Sequence, residues 1–164
     1  MKKSISFKLK PGNEEFEKIS RKGCAFLREN GVSGDAVQTQ MMILWGLIIR
    51  GKEFDSLRPA NKGMTIYLLV EKKIVTVEVR KPVGESSLHN FRKLNELDKT
   101  IQLIRGGQDP LEQYRKRLQA SAKFNNDNTN DFELARIAYE TGADIDFYVN
   151  EDNILNLSAV RRLI

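Results

Sequence analysis

Asp144 and Asp146 stand two residues apart in ADIDFYV, with Glu140 just before them and Asp131 further upstream. Alternation along a strand puts both aspartates on one face, and paired carboxylates can hold a hard cation or divide acid and base work between them. The same alternation arises on any solvated strand face, so the spacing alone names no reaction. The sharpest charge cluster is EQYRKRLQ, residues 112–119, where Arg115, Lys116 and Arg117 adjoin Tyr114 on a predicted helix. Cations beside an aromatic ring suit nucleic acid or an acidic protein surface, although such runs are also ordinary solvated faces. Arg161 and Arg162 add a second basic spot near the end of the sequence.

Other reactive residue types are few. The single histidine, His89, excludes most zinc sites and the usual Ser-His or Cys-His pairs, and the single cysteine, Cys24, excludes an internal disulfide. His89 opens a predicted helix and reads as an exposed or capping side chain. Cys24, beside Ala25 and Phe26, reads as packing. Gly106-Gly107 lacks the Gly-Lys-Ser/Thr that completes a phosphate loop, so it reads as a break between helices. Lys and Arg total 27 against 22 Asp and Glu, a net charge of +5. That excess favours acidic partners at close range and is too small to imply nucleic acid.

These residues must be positioned by elements that the hydrophobic pattern marks out. Ile5, Phe7 and Leu9 alternate with polar residues after Met1-Lys2-Lys3, which predicts a strand where a signal peptide needs a continuous apolar run. After the Pro11-Gly12 turn, Asn13 is a candidate N-cap for a helix with Phe16, Ile19, Phe26 and Leu27 on its inner face, ended by Asn30-Gly31. A second helix starts near Ser33 to Asp35 and carries QMMILWGLIIRG, residues 40–51. Met42, Leu44, Trp45, Ile48 and Ile49 surround its axis, which predicts a helix covered on nearly all sides. It falls short of the roughly 18 apolar residues of a membrane span, so no membrane association and a cytoplasmic location are expected. Gly46 in its middle costs about 0.8–1 kcal/mol relative to Ala, so a neighbour should approach closely there.

MTIYLLV and IVTVEVR, around Glu71-Lys72-Lys73, predict a β-hairpin. Residues 86–124 read as two helices, the first lined by Leu88, Phe91, Leu94, Leu97 and Ile101, the second opened by Asp109-Pro110. The polar tract NNDNTND at 125–131 reads as a loop, FELARIAYETG as a short helix, and ADIDFYV with ILNLSAV as a closing hairpin. The expected fold class is α+β, a two-layer sandwich in which a mixed sheet of about five strands carries helices on one face. Residues 1–164 are expected to form one domain with a helical, lid-like insert at about 86–130.

Strand, two helices with the second deeply buried, hairpin, helical insert, short helix and closing hairpin is an order that resembles the histidine-kinase-like ATPase fold, and within it the anti-sigma-factor and partner-switching-kinase branch. In that family the buried helix carries a Glu and, four residues later, an Asn that binds magnesium, and it closes with a basic residue and Gly. Aligning Arg50-Gly51 with that closing pair puts Met42 at the Glu and Gly46 at the Asn. A thioether cannot act as a base, and Gly has no oxygen to offer Mg2+. The family's Asp-x-Gly, whose Asp accepts from the adenine amino group, falls on Lys81-Pro82-Val83-Gly84, and Lys81 offers only donors. Where the family has a glycine-rich phosphate segment stand Asp131-Phe132-Glu133-Leu134.

The resemblance therefore implies a relict groove at Met42, Gly46, Lys81 and Asp131 with no catalytic residue, metal ligand or cofactor. The expected function is that of a non-catalytic, protein-binding regulator in bacterial signalling, similar to an anti-sigma factor or partner-switching protein. Its regulatory protein partner would meet Arg105, Tyr114, Arg115 and Arg117 on the insert, and a homodimer stays open. The first alternative is an ATP-dependent serine/threonine kinase with an altered site, which alone would need ATP and Mg2+. The second is a nucleic-acid-binding protein.

Overall fold

The computed structural model describes residues 1–10, 15–54, 63–84, 88–106, 112, 115, 116, 119 and 129–164, with only the backbone described at 129–132. Five strands form one open sheet in the order β1 (Lys2–Leu9), β2 (Met64–Glu71), β3 (Ile74–Pro82), β5 (Ile154–Arg162), β4 (Asp144–Val149). Helices α1 (Phe16–Glu29), α2 (Gly34–Lys52), α3 (Leu88–Gly106) and α4 (Thr129–Thr141) complete a two-layer α+β sandwich. No helix among the described residues is long and apolar enough to cross a membrane.

Every strand pairing among the described residues is antiparallel, which corrects the mixed sheet expected from sequence. The physical reason is visible between β1 and β2. Two helices connect them, and a helical pair brings the chain back to the end of the sheet where β1 finished, so β2 must run the other way. The hairpin turn Lys72-Lys73 has Lys72 at φ +55°, the left-handed conformation that matches a tight two-residue turn to the strand twist.

Burial alternates along β2 and β3. Met64, Ile66, Leu68, Val70, Val75, Val77 and Val79 face the helices. The opposite face is open, and on it Arg80 lies 4.4 Å over the Tyr67 ring and donates to Glu78 at 2.6 Å. That hydrogen bond holds the guanidinium pKa above its ordinary value.

Helix α2 spans the core. Val37, Ile43, Leu44 and Leu47 are fully buried, and Gly51 lets the helix approach the sheet at Met64 Sδ, 3.0 Å from where a Cβ would stand, and at Val79 Cγ1, 3.6 Å away. Ser33 sits at its N-cap, as the sequence indicates. Helix α1 buries Ile19, Gly23 and Leu27, half-buries Phe16, Cys24 and Phe26, and ends at Asn30 with Gly31 at φ +80°. Cys24 thus packs against the core as expected. The candidate cap Asn13, the Asp109-Pro110 helix start and residues 125–128 lie outside the described residues, whereas the last three residues of the polar tract, 129–131, form the first turn of α4 and not the loop expected over 125–131. On α3, Leu97 and Ile101 are buried and Leu94 half-buried, whereas Leu88 and Phe91 are each 64% exposed. They occupy the first turn, before the helix reaches α4 and β4.

Gln40 is an anomaly within this core: it is 0% exposed, and neither its Oε1 nor its Nε2 has a hydrogen-bond partner among the described residues. An amide stripped of water without replacement costs about 1–3 kcal/mol. Gln40→Met keeps the length and helix propensity of the side chain while removing both polar atoms. The variant is expected to gain about 1–3 kcal/mol in urea unfolding. Unchanged or reduced stability would show that the amide is satisfied in the folded protein.

Candidate functional site

The outer side of α2 does not follow the expectation of cover on nearly all sides. Ile49 is 51% exposed, Met42 and Trp45 are half-buried, and together they form one wall of a cavity of about 260 Å3. Helix α4 forms the other wall with Glu133, Arg136 and Ile137. The sheet, α1 and α4 cover three sides of α2, and no described residue outside α1, α2 and α4 lines the cleft between α1 and α4. Trp45 is fixed against α1 by an edge-on contact with Phe16, centroids 4.9 Å apart, and Lys52 lies 4.6 Å over the same Phe16 ring.

Gly46 supplies the close approach that its position on α2 demands. A Cβ at position 46 would overlap the terminal methyl of Ile137, which is itself buried. The glycine therefore acts as a socket for Ile137, and α4 seats on α2 through this contact. Beside it, Arg136 Nη2 pairs with Glu133 Oε2 at 2.8 Å, while Arg136 Nε is buried with no hydrogen-bond partner among the described residues. The chemistry this arrangement offers is adhesion of an apolar group beside a half-exposed ion pair.

Lys81 lies elsewhere. Strand alternation turns it to the helix side, where it is buried and its Nζ donates to the Phe54 carbonyl just past the end of α2. His89 Nε2 meets the neighbouring Glu53 carbonyl at 2.9 Å, and the buried Arg50 donates to Glu53 Oε2 at 2.6 Å. The Lys81 ammonium and the Arg50 guanidinium thus lie where the α2 dipole is negative. His89 is exposed, as its place at a helix start suggests, and meets the carbonyl at the end of α2. Of the four groove positions, the structure brings together Met42 and Gly46 and separates Lys81 from them. The Asp131 side chain lies outside the described residues.

Among the expected partner contacts, Arg115 is exposed, and Tyr114 and Arg117 lie outside the described residues. Arg105 at the end of α3 is already engaged: its Nη1 lies 3.0 Å from Asp146 Oδ2 and its Nε 3.5 Å from Asp144 Oδ1. This pairing also revises the reading of the two aspartates, which share a face as alternation requires but meet an arginine. No group of three or more His, Cys, Asp or Glu side chains placed to hold a metal occurs among the described residues.

Sequence reasoning singled out Met42 and Gly46 and missed Ile137 and Arg136. Met42, Trp45, Gly46 and Ile49 recur at helical spacing on the side opposite Gly51, a second stripe that marks a second packing partner for α2. Neither protein-family models nor curated proteins give a match for this chain.

Proposed function

We propose that this chain is a non-catalytic regulator that works by binding another protein, similar to the anti-sigma-factor and partner-switching branch of the histidine-kinase-like ATPase fold. One observation carries the reading. At Gly46, where the resembled fold has its magnesium-binding Asn, the space next to α2 is taken by the Ile137 side chain, and the cavity beside it is walled by Met42, Trp45 and Ile49. Hard oxygen ligands suit Mg2+, and a thioether, an indole and aliphatic carbons offer none. Support also comes from Lys81, whose ammonium is turned inward onto a backbone carbonyl, away from this cavity. The reading draws further on the order of elements, strand, two helices, hairpin, helices and closing hairpin, on which the resemblance rests.

The partner surface in this proposal is the insert, where Arg115 is exposed and Arg105 contributes only if its aspartates release it. Calorimetric titration of the full chain with ATP and Mg2+ tests the reading. No heat of binding at up to millimolar nucleotide is expected. Micromolar binding would overturn the proposal and favour an ATP-dependent kinase.

A further inference from the structure

The face of the sheet turned away from the helices carries no described element, and the strand registers fix its rows. One row runs from β1 to β4 as Ser4, Leu69, Thr76, Val160, Asp144, and the end row beside it as Lys2, Glu71, Ile74, Arg162. Ile74 and Val160 are each 40% exposed although they stand on the inner strands, and Tyr148 on the same face is 57% exposed. Exposed charges keep to the margins: Lys2 and Lys8 on the β1 edge, Asp144 and Asp146 on the β4 edge, Glu71 and Arg162 in the end row. The inner charges, Glu78 and Arg80, meet at 2.6 Å and neutralise each other, with Arg80 laid over the Tyr67 ring. An apolar and aromatic middle inside a charged rim is the anatomy of a protein–protein interface.

The charge pattern names the occupant. Lysines line one edge and aspartates the other, which stays net negative even with Arg105 bridging the two carboxylates. A second copy turned about a twofold axis that runs along β3, parallel to the strands, sets β1 against the partner's β4 and β2 against the partner's β5. Leu69 then faces the partner's Val160, Ile74 faces the partner's Ile74, and Glu71 faces the partner's Arg162. Lys2 and Lys8 come within one row of the partner's Asp144 and the partner's Asp146. A twofold axis across the strands would instead set lysine against lysine on β1 and leave Glu71 and Arg162 unmatched. The area is also sufficient. Five strands about 4.8 Å apart, most of eight or nine residues rising about 3.3 Å each, give roughly 600 Å2 per copy and about 1,200 Å2 in all, the lower end for a specific complex.

We infer that this face is the interface of a symmetric homodimer in which two sheets pack face to face with β3 on the axis. Each off-axis contact occurs twice, as a twofold requires, and the modest area sets the affinity in the micromolar range. The interface stands independently of the regulator reading, because the cleft between α2 and α4 lies on the other side of the sheet.

Sedimentation equilibrium of the full chain, from low micromolar to half-millimolar concentration, tests the inference. A monomer–dimer equilibrium is expected. Glu71→Arg and Arg162→Glu, each altered at an exposed side chain, should each self-associate at least about tenfold more weakly, because like charges then meet twice across the axis. Mixed together, the two variants should form a heterodimer within about threefold of the wild-type affinity, since both contacts again join opposite charges. Loss of structure cannot produce that rescue. Val160→Lys, which places a charge against the partner's Leu69, should weaken the dimer by at least about tenfold. A monomer at every concentration, a dimer indifferent to Val160→Lys, or single charge variants that mixing does not rescue would overturn the inference.

Discussion

Leu44→Ala is expected to lower the unfolding free energy by about 2–5 kcal/mol, the range for deleting a buried leucine. Leu44 is 0% exposed, and its helix neighbours Val37, Leu47 and Ile48 are buried with it. Helix α2 packs against the sheet, chiefly β3, and also against α1 and α4. With neighbours on several sides, the surroundings cannot collapse fully into the space left by the missing methyls. Both the lost transfer free energy and the residual cavity then contribute. Leucine and alanine are both good helix formers, so propensity leaves this sign unchanged. Ile49→Ala is the matched control, since Ile49 lies on the same helix at 51% exposure. Urea unfolding of both variants, compared at similar m-values, separates core from surface. A Leu44→Ala loss below about 0.5 kcal/mol would place this face of α2 outside the core.

Gly46→Asn should be nearly as damaging and for the opposite reason. The new Cβ would overlap the Ile137 terminal methyl, and overpacking of this kind costs about 1–3 kcal/mol. The Asn amide would also enter a contact lined by aliphatic carbon, adding about 1–3 kcal/mol if it finds no partner. Against this stand only the few tenths of a kcal/mol, roughly, by which asparagine exceeds glycine in helix propensity. The sharper test is a cycle with Ile137→Val, which deletes the methyl in question at a cost of about 0.5–1.5 kcal/mol by itself. Gly46→Ala is expected to be unfavourable or neutral in the wild type and favourable in the Ile137→Val background, with a coupling of about 0.5–3 kcal/mol. Strict additivity would show that α4 does not seat on Gly46. The cycle also bears on the proposed function, because an Asn introduced at position 46 has to displace Ile137 before it could reach any ligand.

What the chain's sequence determined by itself is the inventory of elements, their order and most of their inner faces. Ile19 and Leu27 on α1, Leu97 and Ile101 on α3, and the alternating valines of β3 lie where a local period of 3.6 or 2 puts them. Start and stop signals at Ser33, Asn30 and Gly31 were legible for the same reason, since capping depends on residues a few positions apart. Gly46 announced a close contact through its cost to the helix, yet nothing nearby in sequence named Ile137 as the neighbour. The tertiary structure decided such pairings: Ile137 on Gly46, Arg105 between Asp144 and Asp146, Lys81 turned to the Phe54 carbonyl, and Lys72, Lys73 and Arg161 gathered at the start of α2. It also decided that β1 and β2 run antiparallel and that Ile49 on the outer strip of α2 is exposed. Each of these depends on which elements lie side by side after the sheet assembles, and burial of the whole apolar surface sets that adjacency, whereas periodicity within one segment constrains only the face that segment presents.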